Sequence, residues 1–138
     1  MSKFNLLSII VVLFSSLVAC NKVESANTDS DNYYVKYIFY KDATRMQIDN
    51  ITINTEKGEQ VLHGSSNFEV VIGPVEKGFE ASILVEGSGY RSDYAYIEIY
   101  VSVNTEPFAL KLQKEGNVGL GVNSGMPGSM SATYIVGE

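Results

Sequence analysis

Cys20 is the single thiol of the chain and closes the run Leu17-Val18-Ala19-Cys20. A small residue before the cysteine admits a peptidase, Leu17 fits the position two residues further back, and a thiol is the group that can be diacylated before cleavage. The stretch ahead of it has the layout of an export leader: a basic Lys3, an apolar segment from Leu6 to Val18 interrupted only by serines, then small residues. A spanning helix needs about 20 apolar residues, and Asn21, Lys22 and Glu24 end this run short of that. The expectation is a leader over 1–19 that is removed, leaving a fatty-acylated Cys20 as the new N-terminus. Asn21 in place of an aspartate lacks the inner-membrane retention signal of enteric bacteria, so the expected address is the outer membrane of a bacterial envelope.

Other residues that could carry chemistry lack companions. His63 is the sole histidine, and a zinc site needs three or four ligands drawn from His, Cys and carboxylates. A serine nucleophile would need that same histidine as its base, and Gly64-Ser65-Ser66 and Gly87-Ser88-Gly89 do not form the Gly-x-Ser-x-Gly elbow. Asp29-Ser30-Asp31-Asn32 starts like a calcium loop without its central glycine and distal glutamate. Gly119 and Gly121 lack the third glycine of a dinucleotide cradle, with no strand before and no helix after. A protein that is not an enzyme, with no cofactor and no metal, is the expectation.

Tyrosine is the residue type left with something to do. Nine are present, with no tryptophan; Tyr94, Tyr96 and Tyr100 share the outward phase of one strand, and Tyr90 joins them from the loop before it. Tyrosine offers rigid, amphipathic contact area at low entropic cost. These four are the candidate binding surface, for another envelope protein or for a small glycan or lipid; plain cross-strand packing of rings is the competing account.

Removal of the leader leaves 119 of the 138 residues, enough for one domain with a respectable core. Lys3 goes with the leader, so nine basic residues face sixteen acidic ones. Such a surface does not bind nucleic acid or anionic headgroups through bulk charge. The partners expected are the membrane, reached through the N-terminal lipid, and another envelope protein.

Residues 20–32 are polar, small and acidic and read as a flexible tether. From Tyr33 the pattern has period two and stays so to the end of the chain, which makes 33–138 the folded domain. Val35, Tyr37 and Phe39 share one face opposite Tyr34, Lys36, Ile38 and Tyr40. Met46 to Asn54 slips phase at Asp49-Asn50, which predicts a bulge. Thr55-Glu56-Lys57-Gly58 predicts a hairpin turn, with Glu59 to His63 returning. Phe68, Val70 and Ile72 alternate up to Gly73-Pro74, taken as a strand end. Phe79 to Val85 follows the corner Lys77-Gly78, and Gly87-Ser88-Gly89 is taken to open a loop. Ala95, Ile97, Ile99, Val101 and Val103 face a core, while Tyr94, Tyr96, Glu98, Tyr100 and Ser102 face away. Phe108, Leu110 and Leu112 return on one side, Gly116 to Gly128 reads as a loop with a weak strand through Val118, Leu120 and Val122, and Ser131 to Val136 is the last strand. Lys36, Glu98 and Lys111 are expected to blunt sheet edges. Seven to eight short strands without helical periodicity predict an all-β, antiparallel β-sandwich.

The order Tyr34-Val35-Lys36-Tyr37, Ile51-Thr52-Ile53, Glu56-Lys57-Gly58, Phe68-Glu69-Val70, Gly78-Phe79, Ile97-Glu98-Ile99-Tyr100-Val101 and Ala132-Thr133-Tyr134 is similar to that of small bacterial outer-membrane lipoproteins. It also resembles, more distantly, the soluble domain of the MmpS-type small membrane proteins. The resemblance implies an immunoglobulin-like sandwich and an accessory role beside lipid exporters. It carries no site residue across.

Overall fold

β-Branched and aromatic residues at every second position favour extended backbone with one buried and one wet face, and the chain folds accordingly. The computed structural model describes residues 31–42, 46–64, 67–89, 94–116 and 126–138; the leader, Cys20, Tyr90, Gly119, Gly121 and the weak strand through Val118, Leu120 and Val122 lie outside them. Eight strands are formed: β1 Tyr33–Lys41, β2 Gln47–Thr55, β3 Gly58–His63, β4 Phe68–Val75, β5 Glu80–Gly89, β6 Ala95–Val103, β7 Ala109–Gly116 and β8 Met126–Ile135. They make two antiparallel four-stranded sheets, in the order β4-β1-β6-β7 and β3-β2-β5-β8. This is the all-β sandwich expected. Only β2–β3 and β6–β7 are hairpins within a sheet; every other connection crosses from one sheet to the other. An immunoglobulin constant-type domain keeps its first two strands side by side, whereas here β1 lies between β4 and β6.

One core lies between the sheets. Val35, Tyr37 and Phe39 from β1 and Ala95, Ile97, Ile99 and Val101 from β6 meet Ile51 and Ile53 from β2, Ala81, Ile83 and Val85 from β5 and Met130 and Ala132 from β8. Tyr37 is fully buried, and its hydroxyl donates to the carbonyl of Asn54 across the sandwich at 2.8 Å. The bulge predicted at Asp49 is present: Ile48 pairs with Gly87 and Asn50 with Glu86, leaving Asp49 unmatched.

Several sequence expectations change. Gly73-Pro74 does not end β4, which continues to Val75. Proline is tolerated because β4 is an edge strand, where one side of the backbone has no ladder to complete. Gly87 and Gly89 open no loop; both are buried within β5. A Cβ at Gly87 would run into the carbonyl oxygen of Gln47, so the glycine is there for close backbone approach beside the bulge. Gly87→Ala is therefore expected to destabilise the domain by about 1–3 kcal/mol, the usual range for overpacking, read as a lower urea midpoint. An unchanged midpoint would mean that β2 yields freely. The segment expected to be a loop from Gly116 to Gly128 is shorter than that, since β7 runs to Gly116 and β8 begins at Met126.

Lys36 and Glu98 are not edge guards, because β1 and β6 are the central strands of their sheet; Lys111, on β7, is at an edge. The lysine that protects an edge most directly is Lys114. It stands in inward register opposite Ile97, and its Nζ donates to the Ser131 carbonyl of β8 at 2.7 Å, tying the two sheets along one side. Ser102 keeps the outward phase, paired with Tyr34, but is covered rather than exposed. It is buried, its hydroxyl held by the Glu106 carbonyl in the β6–β7 turn.

The chain enters β1 under a clamp. Asn104, with a left-handed φ of 53°, donates from its main-chain N–H to the Asn32 carbonyl at 2.7 Å. Its side-chain oxygen accepts from the Asn32 N–H at 2.9 Å, and its amide donates to Asp31 at 2.9 Å. Asp31 and Asn32, assigned to the tether from the sequence, are thus bonded to the sandwich.

Candidate functional site

In an antiparallel sheet, directly paired residues point to the same face, so the register assembles the outer surface of the first sheet row by row. Tyr40 pairs with Tyr96, and Tyr96 with Glu115. The next row inward joins Glu69, Ile38, Glu98 and Gln113, and the one after it Val71, Lys36, Tyr100 and Leu110. Beyond Tyr40 the Asp42 N–H reaches the Tyr94 carbonyl at 3.4 Å and continues the pairing by one more row.

Of the four tyrosines expected to form a surface, Tyr90 lies outside the described residues. Tyr94 is 46% exposed just before β6, and Tyr96 and Tyr100 are half-buried on it. They do not make one ladder. Tyr96 and Tyr100 are four residues apart, about 13 Å along a strand, with Glu98 between them. Tyr96 instead packs with Tyr40 across the sheet, ring centroids 6.2 Å apart at 40°. Tyr100 joins a second cluster in which the Lys36 ammonium lies 4.8 Å from its ring centroid, 5.2 Å from that of Phe108 and 3.5 Å from the Glu69 carboxylate. Partly desolvated cation–π contacts of this kind contribute about 0.5–2 kcal/mol.

Both phenols are held in their neutral, hydrogen-donating form. Tyr100 donates to Glu98 at 2.9 Å, and this bond, reinforced by burial and by the charges of Glu98 and Glu69, raises its pKa above the usual tyrosine range. The negative charge of Glu115 does the same to Tyr96, followed by burial and by Asp42.

Tyr40, Val71, Phe108 and Leu110 belong to this surface and were not among the candidates. Tyr40 was legible, since the period-two pattern of β1 already placed it outward. Leu110 was not. Ile99 pairs with Leu112 but Tyr100 with Leu110, so Lys111 is a bulge that turns Leu110 to the outer face, 47% exposed. Among the described residues, four of the five exposed large hydrophobic side chains, Tyr40, Val71, Tyr94 and Leu110, lie on or beside this face. That concentration sets it apart from the outer face of the second sheet, where Asn50, Thr52, Asn54, Ser82, Ser131 and Thr133 stand in register with half-buried Leu84 and Ile135 and where, among the described residues, Val61 is the one large exposed apolar group.

His63 lies on that second, polar face, its Nδ1 3.0 Å from the Asn50 side-chain oxygen. Among the described residues, no three His, Cys, Asp or Glu side chains are grouped to hold a metal ion. The larger clefts, of about 590, 500 and 560 Å³, are open, and none is lined by Tyr94, Tyr96 or Tyr100. They are lined by residues 31–33 with 74–77, by 55–56 with 74–79, and by 55–60 with 70–73. No family model, no curated protein and no solved structure matches this chain.

Proposed function

We propose that this chain is a lipid-anchored protein of a bacterial envelope, fastened to the outer membrane through Cys20, and that it works without catalysis as an interaction module docking on another envelope protein. The observation that supports this most is the gathering of exposed aromatic and aliphatic side chains on one sheet face, against a polar face on the other side. Surfaces of mixed tyrosine, aliphatic and scattered charge suit protein partners, and a patch of this kind on a small domain calls for a cover. A glycan or lipid is the less supported occupant, because small ligands are held in concavities and the clefts contain none of Tyr94, Tyr96 and Tyr100. An export assembly is one partner class that the resemblance read from the sequence would imply.

The arrangement of the chain suits this role. The clamp at Asn32 joins the tether to the end of the sandwich holding the β2–β3, β4–β5 and β6–β7 turns. Tyr40 lies eight residues beyond Asn32, about 26 Å away, so the aromatic face extends away from the clamp. Affinity purification from detergent-solubilised membranes after mild crosslinking is expected to recover a stoichiometric partner. Tyr100→Ser/Leu110→Ser, two truncations at the middle of the patch, is expected to lower recovery tenfold or more, since a hot-spot truncation costs about 2 kcal/mol. Equal recovery by the double variant would remove this face from the proposal.

A further inference from the structure

We infer that the corner of the first sheet formed by Tyr40, Tyr94 and Tyr96 with Asp42 and Glu115 is a seat for a cationic side chain, a guanidinium or ammonium group carried on the partner's docking segment. The inference rests on the docking reading above and supplies the chemistry of the partner.

Three aromatic rings and two carboxylates share this corner by register. Tyr40, Tyr96 and Glu115 form one row, and Asp42 with Tyr94 forms the next. Tyr40 is 47% and Tyr94 46% exposed, and both carboxylates face solvent. A ring face attracts a cation through its quadrupole, and a neighbouring carboxylate adds charge-assisted hydrogen bonds. Together they favour a group that is both planar or apolar-stemmed and positive; arginine fits best because its guanidinium stacks on rings and pairs with carboxylates at once.

The basic groups nearest on the described strands are engaged elsewhere. Lys36 is held by Glu69 and the Tyr100 and Phe108 rings, the Lys41 ammonium donates to the Met46 carbonyl at 2.6 Å, and Lys114 donates to Ser131. Among the described residues, the ion pair formed is Lys36–Glu69, and neither Asp42 nor Glu115 is paired with a basic side chain. An anionic partner would meet both carboxylates, and a wholly apolar one would have to strip them of water without compensation.

The test uses the full chain in detergent with ring-¹³C-labelled tyrosine, titrated with an acetylated and amidated Arg-Gly-Arg-Gly-Arg peptide and with its citrulline counterpart, which keeps the shape and loses the charge. The Tyr40 and Tyr96 signals are expected to move with the arginine peptide and not with the citrulline one. Asp42→Asn/Glu115→Gln and, separately, Tyr40→Leu/Tyr96→Leu are each expected to weaken binding on the order of tenfold. Equal binding of the two peptides, or undiminished binding by the Asp42→Asn/Glu115→Gln variant, would overturn the inference. So would binding that appears only after Arg45→Gln/Arg91→Gln, since the cation would then be the chain's own. Partner recovery separates the two readings. If Tyr100→Ser/Leu110→Ser abolishes recovery while Asp42→Asn/Glu115→Gln leaves it intact, docking stands and the cation seat falls. If no partner is recovered at all yet the arginine selectivity holds, the seat stands and the docking reading fails.

Discussion

Tyr37→Ala is expected to remove a large share of the stability of this domain, about 3–5 kcal/mol from a total that for such domains is about 5–15 kcal/mol. Tyr37 sits at the middle of β1, a central strand, flanked in register by Ile99 of β6 and Val70 of β4. Its ring is fully buried, and its hydroxyl bonds to the opposite sheet at Asn54. Truncation leaves a ring-sized void between two sheets that cannot close without breaking other contacts. Tyr37→Phe keeps the ring and loses only the hydrogen bond, so its expected cost is about 0.5–1.5 kcal/mol. Urea denaturation of the three proteins checks the order; a near-equal cost for the two substitutions would mean that the hydroxyl, not the ring, carries the effect.

The same residue makes stability depend on alkaline pH. Burial pushes the Tyr37 phenol well above its ordinary pKa of 10.0, with a backbone hydrogen bond from Ser82 opposing in part. With the folded pKa above the unfolded one, the unfolded chain gives up its proton first, so above about pH 10 it binds fewer protons than the native state and stability falls as pH rises. The contribution is complete below that pH. Tyr37→Phe is expected to lose less stability between pH 9 and 11 than the parent, and parallel losses would assign the alkaline effect to other tyrosines.

With an ordinary secretory leader in place of residues 1–19, so that cleavage no longer depends on the thiol, Cys20→Ser is expected to move the protein from the membrane fraction to the soluble one. One acyl chain gives only marginal binding, but each buried CH₂ contributes about 0.8 kcal/mol, so two or three long chains hold a protein for its lifetime. Bulk charge gives the mature chain no comparable attraction: the sixteen acidic residues exceed the nine basic ones, and anionic headgroups repel such a surface. Fractionation of cells with and without a high-salt wash reads the result. A Cys20→Ser protein that stays with the membranes and resists salt would sink the lipid anchor and require another attachment. From Cys20 to the clamp at Asp31 the eleven residues 20–30 span at most roughly 40 Å, so a lipid on Cys20 would keep the domain within that distance of the membrane surface.

The placement of the tyrosines was only half legible in the sequence. Tyr94, Tyr96 and Tyr100 declare their common phase because side chains alternate along a single strand, and the strand itself carries that information. What stands beside them is set by other strands. Tyr40 joins Tyr96, Lys36 slips between Tyr100 and Phe108, and Asp42 and Glu115 border the corner because β1 and β7 happen to flank β6.

Period and turn chemistry are local properties, so the strands, the Asp49 bulge, the Gly58 and Gly78 turns and the inward set from Val35 to Val101 could be read in chain order. Sheet membership, edge or centre, and register are not local, since hydrogen bonds to a neighbour distant in sequence decide them. That is why Gly73-Pro74 and Gly87 looked like strand ends, why Lys36 and Glu98 looked like edge charges, and why one unmatched residue at Lys111 could turn Leu110 from the core side to the surface. The amino acids determined which faces would be apolar; only the pairing of β1 with β4 and β6, and of β5 with β2 and β8, decided which of those faces meet and which remain open to a partner.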